Sequence, residues 1–566
     1  MNAYLLYENS DRLSERIYYD SKSIVQDLGL KALFLAAAKE VIYENGAVKK
    51  VSKEDLYIQD TMRRILMVPV LSKEEMIYRQ EIVQDSFKQE GLMRELYQIS
   101  SSLLAEWNKL GRGLKDKISQ GNPVVKLVSD IQVAHLFLDA LTRIKSMLEE
   151  SSEQISSRGL RNLKKRLAAE FSEEREAYVR KVLQDISFYT DGSDQEDEGR
   201  NQVVKPRIIL ECGLEDGLKF SSLKLQEVSS ESTKFYRPGS TMDKIQDFKN
   251  SRIPDSFSTV KEVAIRDQAN QLEYSIVSYL MANLGSFMHD FNGFFDQLHM
   301  QTAFYVGAIN LRHQMERFSL GWCFPDVCAQ EDLSFVDLKE FVMCLEQRVH
   351  AVGNTCDMKK KELLIVTGAN QGGKSTFLRS IGIAQVMMQG GLMVTAQKFK
   401  SGLFPRLYMH FTRREDSAMN SGRLDEELNR MNKIIENIIE TGQEKSVTDH
   451  DEKGSTGRKY GEGAMILLNE SFATTTEKEG SVIAYDIIRA LNETGVKVLT
   501  VTHLLTFAQQ MYEEYRDNPA SIVEFLSAER KADGTRTFRM IQHAPELTSF
   551  GLDLYEELVE KRGQAK

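Results

Sequence analysis

The segment GANQGGKST, residues 368–376, limits most strongly what this chain can fold into. It fits the phosphate-binding pattern G-x-x-x-x-G-K-[ST] in full. An apolar run, ELLIVT (362–367), precedes it, and a helix-forming run, FLRSIGIAQVMMQ (377–389), follows it. Glycines let several backbone N–H groups point at phosphate, and the following helix adds its positive N-terminal end. The sequence therefore predicts a strand, a phosphate-binding loop and a helix, rather than a chance glycine-rich turn.

The residue types within this loop predict separate roles. Lys374 is expected to reach the β- and γ-phosphates of a nucleotide, and the Ser375 hydroxyl is expected to coordinate magnesium. The other residues of the pattern shape the loop or supply backbone donors, and they are Gly368, Gly372, Gly373 and Thr376. The loop is therefore the predicted nucleotide- and magnesium-binding segment.

A second apolar run, AMILLN (464–469), brings polar residues to the end of another strand. In the usual arrangement an Asp ends this strand and orders magnesium, and the Glu after it polarises the attacking water. Here Asn469 holds the Asp position and Glu470 follows it. An amide lacks the negative charge of a carboxylate, so Asn469 is expected to hold magnesium more weakly. Glu470 is the predicted catalytic carboxylate, with an ordinary surface acid as the alternative.

A third run, VKVLTV (496–501), is followed by Thr502 and His503. A lone histidine is more often structural, but one at the end of a core strand can sense a γ-phosphate. His503 is therefore a second candidate catalytic residue. The three apolar runs are typical of strands buried on both faces of a parallel sheet, whose carboxyl ends form one nucleotide crevice.

The first 190 residues predict mostly helix. Residues 28–44 are rich in helix formers, and 72–99 and 158–186 have the spacing of long amphipathic helices. Helices of this length are typical of levers or bundle members. A polar, acidic stretch at 190–202 predicts a loop.

Two later stretches depart from the helical pattern. Residues 206–228 alternate in polarity and contain glycines, which predicts a small β element. Residues 441–463 are rich in Gly, Ser and charge between a helix and a strand, which predicts an exposed and mobile insertion. The overall prediction is an α plus α/β fold: a mostly helical lever domain over 1–319, then a P-loop ATPase domain with a mainly parallel sheet over 320–566.

Composition excludes several classes of protein. The formal net charge of −10 argues against a surface coated in basic residues, although 73 Lys and Arg can still cluster locally. No stretch approaches the roughly 20 apolar residues of a membrane span, and the N-terminus lacks the pattern of a secretory signal. Five cysteines do not make a disulfide framework, and the spacing of Cys323 and Cys328 is not that of a zinc knuckle. We therefore expect a cytoplasmic chain.

Several segments together resemble one known family, the MutS family of DNA mismatch-repair ATPases. Residues 368–416 resemble its phosphate loop and the strand beyond it, and 467–488 resemble its acid strand. VTHLLTF (501–507) is similar to its "ATH" segment, and 538–558 to its closing strand and "S-x-G" region. More weakly, 61–83 resembles the entry to its lever domain.

The resemblance implies an ATPase that uses ATP and Mg²⁺, binds DNA and works as a homodimer. It makes Asn370 the family's P-loop asparagine and His503 its nucleotide-responsive histidine. In the family two ATPase domains pair, so that 417–431 of one chain would face the nucleotide of the other.

The sequence also departs from the family's pattern. Asn469 replaces the magnesium-ordering Asp. SGRLDEELNRM (421–431) resembles the signature helix, but the Ser-Thr expected directly after Gly-Arg is missing, and Ser421 is the candidate substitute. The insertion 441–463 has no recognised counterpart, and 187–250 is short for a full DNA clamp, so the β element at 206–228 is a possible remnant. No mismatch-reading domain with a Phe-x-Glu wedge can be located ahead of the lever, which implies a short form.

Three functions remain open at this point. The first is an ATP-driven DNA repair or recombination factor, a homodimer that clamps duplex or branched DNA without reading a mismatch. The second, which follows from Asn469 and the altered signature, is a nucleotide-gated scaffold with little hydrolysis. The third is an ATPase that binds a protein partner rather than DNA, as the acidic balance of the chain allows.

Overall fold

The structure of the protein is a computed structural model. The residues that the structure describes are 3–8, 19, 21–38, 43–44, 47–48, 53–118, 123–186, 203–215, 219–235, 260–412, 423–448, 461–518, 521–531 and 534–545.

Helices prevail before residue 320, and helices alternate with strands after it. The helices of the described residues are α1 Ser21–Asp27, α2 Leu30–Ala37, α3 Lys53–Leu66, α4 Lys73–Lys88, α5 Glu90–Ile118, α6 Pro123–Glu150, α7 Arg158–Glu170, α8 Glu173–Ile186, α9 Val260–Arg317, α10 Phe341–Gln347, α11 Lys374–Gln389, α12 Arg423–Thr448, α13 Glu477–Glu493 and α14 Leu505–Tyr515. The strands are β1 Tyr43–Glu44, β2 Ala47–Val48, β3 Val203–Glu215, β4 Lys219–Phe235, β5 Asp326–Val327, β6 Leu333–Leu338, β7 Asn354–Met358, β8 Leu363–Thr367, β9 Lys398–Ser401, β10 Arg406–Phe411, β11 Ala464–Asn469, β12 Lys497–Val501, β13 Val523–Arg530 and β14 Arg536–Gln542.

Packing divides the chain into two compact units. The first unit comprises Met1–Ala3, Arg94–Ile155 and Leu160–Met300, and the second comprises Tyr4–Met93, Ser156–Gly159 and Gln301–Lys566. The second unit thus adds an N-terminal segment to the C-terminal half. The predicted functional division at residue 320, into a lever and an ATPase domain, stays a prediction.

Within the described residues, the first unit consists of helices and one hairpin. Phe137 of α6 is completely buried, and Arg180 of α8 forms an ion pair with Asp139 of α6, with 2.8 Å between Nη1 and Oδ1. β3 and β4 pair antiparallel. The predicted β element at 206–228 is therefore confirmed as a hairpin, and both of its strands are longer than expected.

A six-stranded sheet forms the centre of the second unit, in the order β10-β11-β12-β8-β13-β14. The first five strands run parallel, and β14 pairs antiparallel with β13 at the edge. The register places Asn469 beside Val501, and Val501 beside Val366. The carboxyl ends of β11, β12 and β8 therefore lie at one edge of the sheet. The predicted α plus α/β fold class is confirmed.

Helices cover both faces of this sheet, as expected for strands that are apolar throughout. β8 and β12 are buried at every position. On one face Ile466 and Leu468 of β11 pack in a core cluster with residues of α12, α13 and α14. On the other face Leu467 meets α11, where a Cβ on Gly382 would lie 3.0 Å from the Leu467 side chain. Side chains alternate along a strand, so Asn469 points to the α11 face.

A second, four-stranded sheet in the same unit has the order β5-β9-β6-β7. The side chain of Asn354, the first residue of β7, joins it to β14. Its Oδ1 accepts a hydrogen bond from Met540 N at 2.7 Å, and its Nδ2 donates to Phe538 O at 3.4 Å. None of the helices in the described ranges is both long and apolar enough to cross a membrane.

Three predicted helices are shorter in the structure than the sequence indicated. In the described part of the run 28–44, the helix α2 ends at Ala37: Ala38 is extended, and the Ala37 carbonyl accepts a hydrogen bond from Asn310. The run 72–99 is interrupted at Gln89, which leaves the helical conformation. The run 158–186 breaks before Ser172, whose hydroxyl accepts a hydrogen bond from Arg175 N and so caps α8.

The predicted insertion 441–463 is shorter than expected. Helix α12 continues to Thr448, so the first eight of these residues are helical rather than loop. At the other end, Arg406 donates to the Glu462 carbonyl, just before β11 begins. Residues 449–460, and the predicted loop at 190–202, lie outside the described residues.

Candidate nucleotide-binding site

The phosphate-binding loop joins the end of β8 to the start of α11, as its sequence predicts. Gly368 and Gly373 have φ angles of 109° and 91°, a conformation that residues with a Cβ rarely adopt. A Cβ on Gly368 would lie 2.7 Å from the backbone nitrogen of Ala528 on β13. Glycine is therefore required at residue 368 both by the backbone conformation and by the close approach of the neighbouring strand.

Lys374, the first residue of α11, lies at the centre of the loop and is only 4% exposed. Its Nζ donates to the carbonyl oxygens of Gly368 at 2.8 Å and Ala369 at 3.1 Å. Burial lowers the pKa of Lys374, and the nearby Glu470 carboxylate opposes that shift. The ammonium group is thus held inside the loop, between the phosphate-binding segment and the predicted catalytic acid.

A pocket of about 400 Å³ opens beside the loop. It brings Glu470 together with most of the predicted binding residues. The loop residues that line it are Gln371, Gly372, Gly373, Lys374, Ser375 and Thr376. Four predicted residues, Gly368, Asn370, Asn469 and His503, do not line it. Asn370 is instead exposed on the outside of the loop.

One part of the pocket wall is apolar. Val349, Val352 and Phe538 line it, and each remains partly exposed, Phe538 by 45%. Phe538 has a left-handed φ of 60°, and its Cδ1 lies 3.4 Å from the Cβ position of Gly373. An aromatic ring and branched apolar side chains beside a phosphate-binding loop suit the flat face of a nucleobase. Sequence reasoning placed residue 538 in a closing strand but did not find this wall.

Asn469 and Glu470 occupy the end of β11, next to the loop. The Asn469 Oδ1 is buried and has no hydrogen-bond partner within the described residues. Glu470 is left-handed, with φ 54°, and its N–H donates to the Val501 carbonyl at 2.8 Å. The Glu470 backbone is thus tied to the neighbouring strand while its side chain lines the pocket.

His503 lies just beyond β12, two residues before α14 begins, and is partly buried. The backbone before it is fixed, because Thr502 N donates to the Val366 carbonyl at 3.0 Å. Glu477 lies nearby; burial raises its pKa, but hydrogen bonds from Thr506 and Ser481 and the charge of His503 lower it overall. His503 is thus placed at the correct edge of the sheet, outside the pocket itself.

The residues present fit a magnesium-bound nucleoside triphosphate. The loop supplies a buried cation at Lys374 and glycines that leave room for phosphate. The buried and unpartnered Oδ1 of Asn469 faces the helix that carries Ser375, and oxygen atoms are the ligands that magnesium prefers. Ser421, the candidate for contact with a second subunit, lies outside the described residues.

Two family models match the chain. The "MutS2 N-terminal domain" matches residues 72–196, and "MutS domain V" matches 364–456, which includes the phosphate-binding loop. Two separate regions of the chain are therefore similar to models of the MutS family, which agrees with the resemblance read from the sequence. They overlap the predicted long helices and the predicted nucleotide-binding loop.

Similar proteins carry MutS and MutS2 names. The chain is 29% identical over 209 residues to "Endonuclease MutS2" of Carboxydothermus hydrogenoformans, which is 36% of this chain and 23% of that protein. It is 31% identical over 144 residues to "DNA mismatch repair protein MutS" of Thermotoga sp. (strain RQ2), covering 25% of this chain and 15% of that protein. "Endonuclease MutS2" of Thermus thermophilus is 27% identical over 146 residues, covering 26% of this chain and 17% of that protein. The matched region therefore spans less than a quarter of each of these relatives.

Proposed function

We propose that the chain is an ATPase that binds ATP with Mg²⁺ at residues 368–376. The observation that carries the proposal is the pocket in which the Lys374 loop, the Glu470 carboxylate and an apolar wall face one another. The similarity of residues 364–456 to MutS domain V supports ATP as the nucleotide, and Phe538 with Val349 and Val352 supplies a surface for the base.

Each polar residue has a distinct proposed role. Lys374 binds the β- and γ-phosphates, and the backbone N–H groups of the glycine loop orient them. Glu470 orients and polarises the attacking water from the wall of the pocket. Ser375 and Asn469 hold magnesium, which when bound neutralises phosphate charge. His503 senses the γ-phosphate from the end of β12.

We further propose that nucleotide binding and hydrolysis gate the clamping of DNA in a homodimer. The names of the similar proteins include DNA mismatch repair, and the long helices before residue 190 suit a lever that carries motion outward. Candidate phosphate contacts lie on α7, where Arg161 and Lys165 are exposed. Two other basic residues of that helix are in ion pairs: Arg158 with Glu81, and Lys164 with Glu149.

The proposal is tested by binding assays with duplex, mismatched and branched DNA, with and without ATP. We expect log affinity to fall linearly with log salt, because contacts to phosphates release counterions. A preference of more than about tenfold for a mismatched over a matched duplex would contradict mismatch-independent binding. Light scattering with ATP tests the homodimer. A monomer would contradict a site in which 417–431 of one chain faces the nucleotide of the other.

A second function, a nucleotide-gated scaffold with little hydrolysis, is favoured by one observation. Asn469 provides a neutral oxygen where a carboxylate would bind magnesium more strongly. Steady-state turnover with magnesium separates the two functions: ATP binding without turnover supports the scaffold. ATP turnover without any salt-dependent DNA binding would instead support an ATPase that acts on a protein partner.

A further inference from the structure

The turn that carries Glu470 is conformationally strained. Glu470 and Phe472 have φ angles of 54° and 66°, and neither is a glycine. Non-glycine residues in the left-handed region cost free energy and persist when the surrounding structure holds them there. The contacts that hold this turn therefore decide where the Glu470 carboxylate points.

One set of contacts reaches the backbone of the turn directly. The Thr412 hydroxyl, just after β10, donates to the Glu470 carbonyl at 2.7 Å and lies 3.2 Å from the Asn469 carbonyl oxygen. The Glu470 N–H is bonded to Val501 on the opposite side. Glu470 is thus held through both its donor and its acceptor by two neighbouring strands.

A second set of contacts involves His410 of β10, which is completely buried. Its Nδ1 lies 2.7 Å from Ser471 Oγ, and its Nε2 donates to the Glu427 carbonyl at 3.1 Å. The His410 ring also stacks on Phe472, with 5.8 Å between the ring centroids. His410 therefore connects both residues after Glu470 to the backbone of α12.

The third set converges on the Glu427 side chain, which is 6% exposed. Its Oε2 accepts a hydrogen bond from the Thr474 hydroxyl at 2.8 Å, and its Oε1 lies 3.4 Å from the Thr412 hydroxyl. Thr412 follows β10, and Thr474 follows the turn in the sequence. One carboxylate of α12 thus contacts both of these threonines.

We propose that Glu427 is a positioning residue for Glu470, and that it couples the start of α12 to the catalytic turn. The proposal rests on the proposed ATPase function, in which Glu470 polarises water. A displacement of α12 changes the contacts of Glu427 with Thr474 and Thr412. Because Thr412 is bonded to the Glu470 carbonyl, the displacement reaches the catalytic carboxylate without passing through the phosphate-binding loop.

Two substitutions test the coupling in the full chain. Glu427→Gln keeps the shape of the side chain but replaces one acceptor oxygen with an amide that cannot accept a hydrogen bond. Thr474→Val keeps the side-chain volume and removes only the hydroxyl. It therefore tests the same contact if the Glu427→Gln variant does not fold. The matched controls are Glu440→Gln, an exposed carboxylate farther along α12, and Thr475→Val, whose hydroxyl is bonded to Glu479 instead.

We expect Glu427→Gln to lower kcat about tenfold, and Thr474→Val to lower it less, with KM for ATP unchanged within about twofold. Hydrogen exchange measured by mass spectrometry is expected to become faster over 469–475 and to stay unchanged over 368–376. Neither control should change kcat or exchange.

The two readouts separate failure of this proposal from failure of the proposed function. Absence of turnover in the wild-type chain contradicts hydrolysis, and hydrogen exchange over 469–475 then decides the positioning role by itself. Unchanged exchange in both Glu427→Gln and Thr474→Val overturns the proposal whatever the turnover. An equal loss of kcat in Glu440→Gln also overturns it, because the effect would then be a general change of charge on α12.

Discussion

The predicted phosphate-binding loop (368–376) and the turn that carries Glu470 (469–472), called the catalytic turn below, lie side by side at one edge of the sheet. They differ in what holds their backbone conformation. Both follow a parallel strand, and both contain left-handed residues. In the loop, two of these residues are glycines, Gly368 and Gly373, whereas in the turn they are Glu470 and Phe472. The loop therefore adopts its conformation largely through residue type, and the turn adopts its conformation through its surroundings.

This difference determines how each part can respond to a signal. The Lys374 ammonium is bonded within its own loop, to residues five and six positions away. The turn depends on contacts from β10, α12 and β12, which come from distant parts of the sequence. In the proposed function, nucleotide binding is thus a local property of the loop, whereas hydrolysis depends on how several elements are arranged around Glu470.

The largest expected effect is on binding. Lys374→Ala removes the buried cation together with its hydrogen bonds to the carbonyl oxygens of Gly368 and Ala369. A charge-assisted contact to phosphate contributes about 1.5–3 kcal/mol, so ATP affinity is expected to fall at least ten- to a hundred-fold. Isothermal titration calorimetry measures this change. Unchanged ATP affinity in the folded variant would show that the loop does not bind the phosphates.

A smaller effect is expected from the backbone of the loop. Gly368→Ala places a Cβ 2.7 Å from Ala528 N at a φ of 109°. The strain is expected to lower the free energy of unfolding by about 1–3 kcal/mol, measured by urea denaturation. The matched control is Gly321→Ala, because a Cβ there meets no atom within 4 Å. Equal stability of the two variants would mean that the loop does not depend on glycine at residue 368.

The same contrast explains what the sequence could and could not predict. The strands β8, β11 and β12 were predicted because uninterrupted apolar runs are typical of a parallel sheet, and the loop was predicted because its pattern is local. The end of α2 was missed, because it depends on Asn310, far along the chain.

The catalytic turn shows the same limit within the site. Its residue Glu470 was predicted, because it follows an apolar strand at the expected position. Its supports His410, Thr412 and Glu427 were not, because hydrogen bonds between segments leave no periodic signal in the sequence. Phe538 was missed as a pocket wall for the same reason: only the folded β14 brings it to the loop.

The smallest expected effect concerns Asn469, where the loop and the turn meet. Asn469→Asp replaces a buried, unpartnered amide oxygen with a carboxylate on the face of the sheet that carries α11. A carboxylate binds magnesium more strongly than an amide, so turnover is expected to rise a few-fold at low magnesium and to change little at saturation. Steady-state ATP turnover over a magnesium titration measures this.

Glu470→Gln serves as the paired variant, because it removes the proposed water-polarising group and leaves the metal-binding oxygens in place. Turnover is therefore expected to fall at every magnesium concentration, while ATP affinity is retained. If Asn469→Asp leaves the magnesium dependence unchanged, residue 469 does not contact the metal. The scaffold function with little hydrolysis would then lose the observation that favours it.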